Sequence, residues 1–308
     1  MIRLKCGLLI LSTLALTSCY TGSSPDSLRQ AVSDVGVSAE VWGNLPYGST
    51  EAQVAASVYR DGEKKALVGG DVVKAYSESS SAILRSIENL GGDYVAGLSV
   101  INPGAGVDFE VEHDPQGARE DRWYPTEELL VDPGPGELVG YNAQLDFPEP
   151  LILSDPADGT RYANRSDAIT LNWTADPNAE QMRLTAVLTC NSESRSVSWA
   201  RSQIIDNTGD PGTFSLTVGD LIPNTGLLTT VVDAVSQLSV IIASAIVSQY
   251  TYGLINPDPV QVESFAVTDC DMSLTLFREV SGTLGDGITG GFAVASSSAT
   301  INLVYEPL

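Results

Sequence analysis

From Val35 onward, apolar side chains recur at every second position. Val35, Val37, Ala39 and Val41 form one run, Ala52, Val54, Ala56 and Val58 a second, Tyr94, Ala96, Leu98 and Val100 a third, and Val107, Phe109 and Val111 a fourth. Successive side chains of a strand point to opposite faces, so each run predicts a strand with one buried and one solvated face. Turn formers separate the runs: Pro46-Tyr47-Gly48, Arg60-Asp61-Gly62, Gly91-Gly92-Asp93 and Pro103-Gly104. Half-buried strands at this spacing predict an antiparallel, all-β architecture of sandwich or barrel type. Residues 79–90 also fit a short helix.

Residues 114–150 are rich in Pro, Gly and acids, with room for one last strand at 138–147. The alternation then resumes in Ile169, Leu171 and Trp173, in Leu184 through Cys190, in Phe214, Leu216 and Val218, in Cys270 through Leu276, and in Ile301, Leu303 and Tyr305. The exception is Leu227 to Gln249, where Leu228, Val231, Val235, Leu238, Ile242 and Ala245 recur at steps of three and four. That spacing predicts a helical segment at 228–249 packed on the sheets, with strands or a membrane segment as the alternatives. The expected organisation is a leader at 1–18, a polar tether at 19–32, an N-terminal β-rich domain at 33–147 and a C-terminal β-sandwich domain at 148–308.

Charge and the first twenty residues change the picture. Sixteen Lys and Arg face 39 Asp and Glu, a formal net charge of −23, and no lysine follows Lys74. Such a field repels nucleic acid and anionic head groups, so no nucleic-acid partner is expected. Arg3 and Lys5 precede an apolar core from Cys6 to Leu16, and small residues Thr17 and Ser18 stand before Cys19. That order is the order of a secretory signal peptide, and the core is too short to span a bilayer as an uncleaved anchor. Leu16-Thr17-Ser18-Cys19 resembles the lipobox of bacterial lipoproteins. The resemblance implies cleavage between Ser18 and Cys19, acylation of Cys19 by palmitate-type chains and attachment to the lipid bilayer. Tyr20, rather than Asp, follows the cysteine, which by the same resemblance implies sorting to the outer membrane. Cleaved but unlipidated secretion is the competing reading.

Residues 151–174, with an apolar entry strand, a Pro-Ala-Asp-Gly turn and a strand ending in Trp173, resemble the opening of immunoglobulin-like and fibronectin-III-like modules. The antibody order is Cys, Trp, Cys, whereas here Trp173 precedes both cysteines, so a general β-sandwich is the expectation. With Cys19 given to lipid, Cys190 and Cys270 remain as an even pair in an oxidising compartment, and a disulfide between them is expected. Two separate buried thiols are the alternative.

The chemical inventory is thin. His113 is the single histidine, in Glu110-Val111-Glu112-His113-Asp114, and is expected to be an ordinary strand-end residue. No G-x-S-x-G, H-E-x-x-H or paired C-x-x-C motif is present, so no metal site, cofactor or catalytic residue is expected. Asp206-Asn207-Thr208-Gly209-Asp210 and residues 281–287 fit turns better than calcium loops. Trp42, Tyr47, Trp123, Tyr124 and Trp199 are candidates for stacking on sugars. The functional expectation is a membrane-anchored envelope lipoprotein, not an enzyme, with a structural, adhesion or recognition role toward an envelope protein or glycan. A carbohydrate-binding accessory protein and a polysaccharide-acting enzyme are the alternatives.

Overall fold

One ten-stranded sheet runs through the molecule and carries everything else. The computed structural model describes residues 27–86, 93–100, 104, 106–121, 134–191, 196–222, 227–228, 260–261 and 267–307. Along its main path the large sheet has the order Ser196–Asp206, Gln181–Asn191, Asp269–Ser281, Ile288–Tyr305, Val37–Pro46, Glu51–Arg60, Asp93–Ser99 and Arg85–Ser86. Two smaller sheets lie against it. One has five strands, ordered Thr283–Leu284, Asn142–Asp146, Gly106–His113, Asp71–Tyr76 and Ser81–Ile83; the other has three, Leu153–Asp155, Ala168–Trp173 and Thr213–Thr217. The fold is all-β, as the two-residue periodicity predicts.

The closing strand Ile288–Tyr305 organises this arrangement. Its first part runs parallel to the opening strand, Val37 lying opposite Ile288 and Pro46 opposite Ser298. Its second part runs antiparallel to Asp269–Ser281, Cys270 lying opposite Tyr305. Ala293 and Ala295 point into a core formed with Val37, Val41, Val54, Val107, Phe109 and Leu145. Ala299, Ile301, Leu303 and Tyr305, on the same face further along, enter a second core with Ile169, Leu171, Leu184, Leu188 and Leu274. Two cores therefore lie side by side on one face of a single sheet, and this strand contributes side chains to both.

The seam between the cores is polar. Arg278, about 2 % exposed, reaches Asp210 Oδ2 through Nε at 2.9 Å and Nη2 at 2.8 Å. It also donates to the carbonyls of Glu149, Pro150 and Thr174, and the Ser297 hydroxyl donates to Glu149 O at 2.8 Å. The Pro148–Pro150 linker, which cannot supply ladder amides at its prolines, is thereby fastened to the large sheet by its carbonyls. Asp210 also accepts from the Trp173 indole N–H, so one carboxylate ties three segments together.

Local sequence explains the punctuation. The Asp61-Gly62 turn has φ of 51° and 76° at its two central residues, the two-residue hairpin geometry that Asp-Gly favours. Gly291 has φ +94°, and a Cβ there would lie 1.9 Å from the Ala39 carbonyl oxygen, so the close parallel approach of opening and closing strands requires glycine. Asp114 caps the short helix Pro115–Asp121, its Oδ1 accepting from the Gly117 amide at 2.9 Å.

Two expectations need correction. Residues 81–83 and 85–86 are short strands, not a helix, because Ala82 pairs with Ala75 at a sheet edge and Leu84 is buried in the first core. The polar stretch assigned to the tether is docked from residue 27 onward, as described below. Of the helix expected at 228–249, Leu228 belongs to a two-residue strand pairing Leu227–Leu228 with Val260–Gln261, and residues 229–249 lie outside the described residues. So do Ser18 and Cys19.

Candidate functional site

Two polar centres stand out against the apolar cores. The first is the outer face of the five-stranded sheet. Residues 108, 110 and 112 alternate with the buried Val107, Phe109 and Val111, so Asp108 and Glu110 project to solvent beside the half-buried Glu112. Cross-strand pairing sets Asp108 between Tyr76 and Gln144, and Glu110 between Lys74 and Asn142. Together with Phe109, Ala143 and Thr283–Gly285, these residues other than Lys74 line a groove of about 400 Å³. Lys74 Nζ lies 3.1 Å from Glu112 and 2.7 Å from Asp114, and the Tyr76 hydroxyl donates to Glu112. Asp114 raises the Lys74 pKa, with Glu112 adding to it, and Lys74 in turn lowers that of Asp114. Burial, and then Glu112, pushes the Tyr76 phenol up to about 12. At neutral pH this cation is held charged and this phenol protonated, the wrong states for a base or nucleophile.

His113 ends the same strand. Its Nδ1 lies 2.8 Å from Asp71 Oδ1 on the neighbouring strand, where Asp71 is directly opposite. Asp71 Oδ2 also accepts from the Gly136 amide. The histidine therefore has a carboxylate partner, which its local sequence, full of other acids, does not single out. Among the described residues, no group of three His, Cys, Asp or Glu side chains is arranged to hold a metal.

The second centre lies on the back face of the large sheet, opposite the two cores. Glu279, about 1 % exposed, receives Arg29 bidentately, Nη1 to Oε2 at 3.1 Å and Nη2 to Oε1 at 2.7 Å. Arg183 Nε donates to Oε1 at 3.2 Å, and Gln181 Nε2 to Oε2 at 2.7 Å. Burial alone would raise the Glu279 pKa, but Arg29 and Arg183 overcome it and hold the carboxyl down to about 2. Nearby, Tyr59 donates to Glu40 at 2.7 Å, and burial is the main cause of the raised Glu40 pKa. Beside these ions, Trp42, Ala55, Phe277, Phe292 and Val294 form a third apolar cluster, against which Leu28 packs.

The sequence-derived candidates fall out as follows. Cys190 and Cys270 form a disulfide and are fully buried. They are direct partners on adjacent strands of one sheet, unlike the bond between two sheets of an antibody domain. Asp206 accepts from Thr208, and Asp210 is engaged by Arg278 and Trp173, so these acids are turn and seam residues. Trp42 is 3 % exposed and unavailable to sugars, whereas Tyr47 is 56 % exposed. Trp123 and Tyr124 lie outside the described residues, and Trp199 is on strand Ser196–Asp206.

Several solved structures are similar to this chain at low identity. Fibronectin domains FN1–FN3 of chicken CNTN1 match at 9 % identity and a TM-score of 0.18, covering 92 % of this chain and 68 % of that one. A DUF4785 family protein from Legionella pneumophila matches at 11 % identity and a TM-score of 0.21, covering 56 % of this chain and 43 % of its own. A marsupial T cell receptor matches at 11 % identity and a TM-score of 0.21, covering 88 % and 74 %. No protein-family model matches the chain, and no curated protein matches it.

Proposed function

We propose that this protein is an envelope lipoprotein, attached to a membrane through acylated Cys19, whose all-β body has a structural or recognition role and is not an enzyme. The observation that carries the reading is the buried Cys190–Cys270 disulfide. It accounts for two of the three cysteines that follow the leader core and supports an oxidising compartment. The third, Cys19, stands directly behind the small residues of the lipobox-like sequence. More than one acyl chain makes such attachment durable, and an outer-membrane address follows the Tyr20 argument.

Cys19→Ser tests the anchor. Palmitate labelling and membrane fractionation should both be lost, and a globomycin-sensitive precursor should disappear. Unchanged labelling and fractionation would sink the proposal.

A second reading is favoured by the groove beside Tyr76. Its row of Asp108, Glu110, Asn142 and Gln144 presents hydrogen-bonding groups on a rigid sheet, and polyhydroxylated ligands are recognised by such groups with an aromatic at hand. This reading makes the body a glycan-binding accessory protein. Glycan-array binding that Tyr76→Ala abolishes would support it, and binding indifferent to Tyr76 would discard it.

A further inference from the structure

The segment behind the lipobox-like sequence is built into the sheet. Ser27 donates to Gln181 Oε1 through its amide at 3.3 Å and its hydroxyl at 3.2 Å, and the hydroxyl also reaches Asn207 O at 3.2 Å. Leu28 packs on the Trp42, Phe277 and Phe292 cluster. The Arg29 side chain, 6 % exposed, enters the Glu279 centre and lies over the Phe292 ring, 5.6 Å from its centroid. The Ala31 carbonyl accepts from the Gly291 amide at 3.2 Å. Four consecutive kinds of contact, polar, apolar, ionic and backbone, thus fasten residues 27–31 across the back of the large sheet.

We propose that residues 27–31 are a strap that converts a flexible lipid attachment into a short, fixed one, keeping the Gln181 and Asn207 corner of the body beside the bilayer. The inference rests on the proposed acylation of Cys19. Ser27 is eight residues beyond Cys19, and eight residues reach at most about 28 Å however they are arranged. Without the strap, the next anchored residue is Ser33, whose amide donates to the Ser38 hydroxyl of the opening strand at 3.0 Å, and the limit grows to roughly 48 Å. The disulfide end of the sheet stands apart from this corner, because Gln181 and Cys190 are separated by nine strand steps, about 30 Å. The strap is strong because Arg29 serves a buried carboxylate. Releasing it leaves Glu279 with one cation fewer in a site closed to water, a costly state.

The test uses the full processed protein in neutral phosphatidylcholine vesicles containing nitroxide-labelled lipid. Fluorophores are placed singly through Thr208→Cys at the strap corner and Glu306→Cys near the disulfide end. Flotation comes first: protein that fails to float refutes the acylation reading itself. In floating protein, the 208 label should be quenched at least twofold more than the 306 label, and Arg29→Ala should remove the difference and the hydrogen-exchange protection of residues 27–31. Arg29→Lys should restore part of both. A ten-residue Gly-Ser insertion between positions 22 and 23 leaves the strap contacts alone and should lower quenching at 208 without loss of protection. Equal quenching of the two labels in floating, otherwise unaltered protein would overturn the strap.

Discussion

Replacing Glu279 by Gln separates the ionic contribution of the back-face centre from its packing. The side chain keeps its volume but loses its charge, leaving Arg29 and Arg183 facing a neutral amide in a closed site. Removing one partner of a buried ion pair costs about 3–5 kcal/mol, and that is the expected loss at pH 7. The pH dependence is the sharper test. Glu279 has a folded pKa of about 2 against an ordinary 4.5, so ionisation stabilises the fold by about 3 kcal/mol, at 1.36 kcal/mol per unit. A depressed carboxyl contributes this stability in full above its unfolded pKa and loses it as pH falls through its folded pKa. The window is therefore roughly pH 4.5 to 2. Urea unfolding followed by tryptophan fluorescence at steps from pH 7 to pH 2 should show the parent protein losing stability faster than Glu279→Gln across that window. Carboxylates common to both proteins cancel in the difference. If the two curves stay parallel from pH 5 to pH 2, Glu279 is not held ionised by its arginines and the account of this centre is wrong.

Other expected outcomes concern stability at separate places. Reduction, or Cys190→Ser with Cys270→Ser, opens a sequence separation of 80 residues and should lower unfolding free energy by about 4–5 kcal/mol in the chain-entropy model; a change under 1 kcal/mol in urea melts would contradict it. Gly291→Ala places a methyl against the Ala39 carbonyl and should cost at least about 1–3 kcal/mol from backbone strain alone, with an unchanged melting temperature as the refuting result. Asp210→Asn strips the seam arginine of its counter-charge and should cost about 3–5 kcal/mol, read in the same melts.

Most strands were legible because each buries one face and wets the other, as at Val107, Phe109 and Val111 between Asp108, Glu110 and Glu112. Their connectivity was not. The parallel pairing of Val37–Pro46 with Ile288–Ser298 joins segments 250 residues apart and leaves no local trace. The same distance hid the strap, since Arg29 in a polar stretch reads as a solvated side chain until Glu279 is found opposite it. Trp42 was misjudged for a related reason. Its neighbours on the same face are Ser38, Glu40 and Asn44, which made that face look wet, yet all three are buried. One signal was available: Arg183 and Glu279 carry opposite charges in strands rich in apolar residues, at positions where unpaired polar groups would be costly. Polar residues of both signs in such strands mark a second buried face.

The use of cations inside the body bears on the proposed attachment to a membrane. Arg29, Arg183 and Arg278 are all buried, against Glu279 and Asp210. Three positive charges so neutralise two negative ones, and a chain with only 16 cations against 39 acids has correspondingly fewer left for its surface. Acids are buried too, Glu40, Asp71, Asp93 and Asp176 among them, yet a chain with 39 acids and 16 cations keeps an acidic surface, and the outer face of the five-stranded sheet, with Asp108 and Glu110 exposed on one strand, is an instance of it. Anionic head groups attract basic segments at about 1 kcal/mol per cation and repel a surface like this one. Folding has placed these cations where they secure the strap and the seam, at the expense of any electrostatic hold on lipid. Under the proposed acylation of Cys19, the hold on a bilayer would rest on the acyl chains, and the short distance from Cys19 to the strap would set how far repulsion can push the body away.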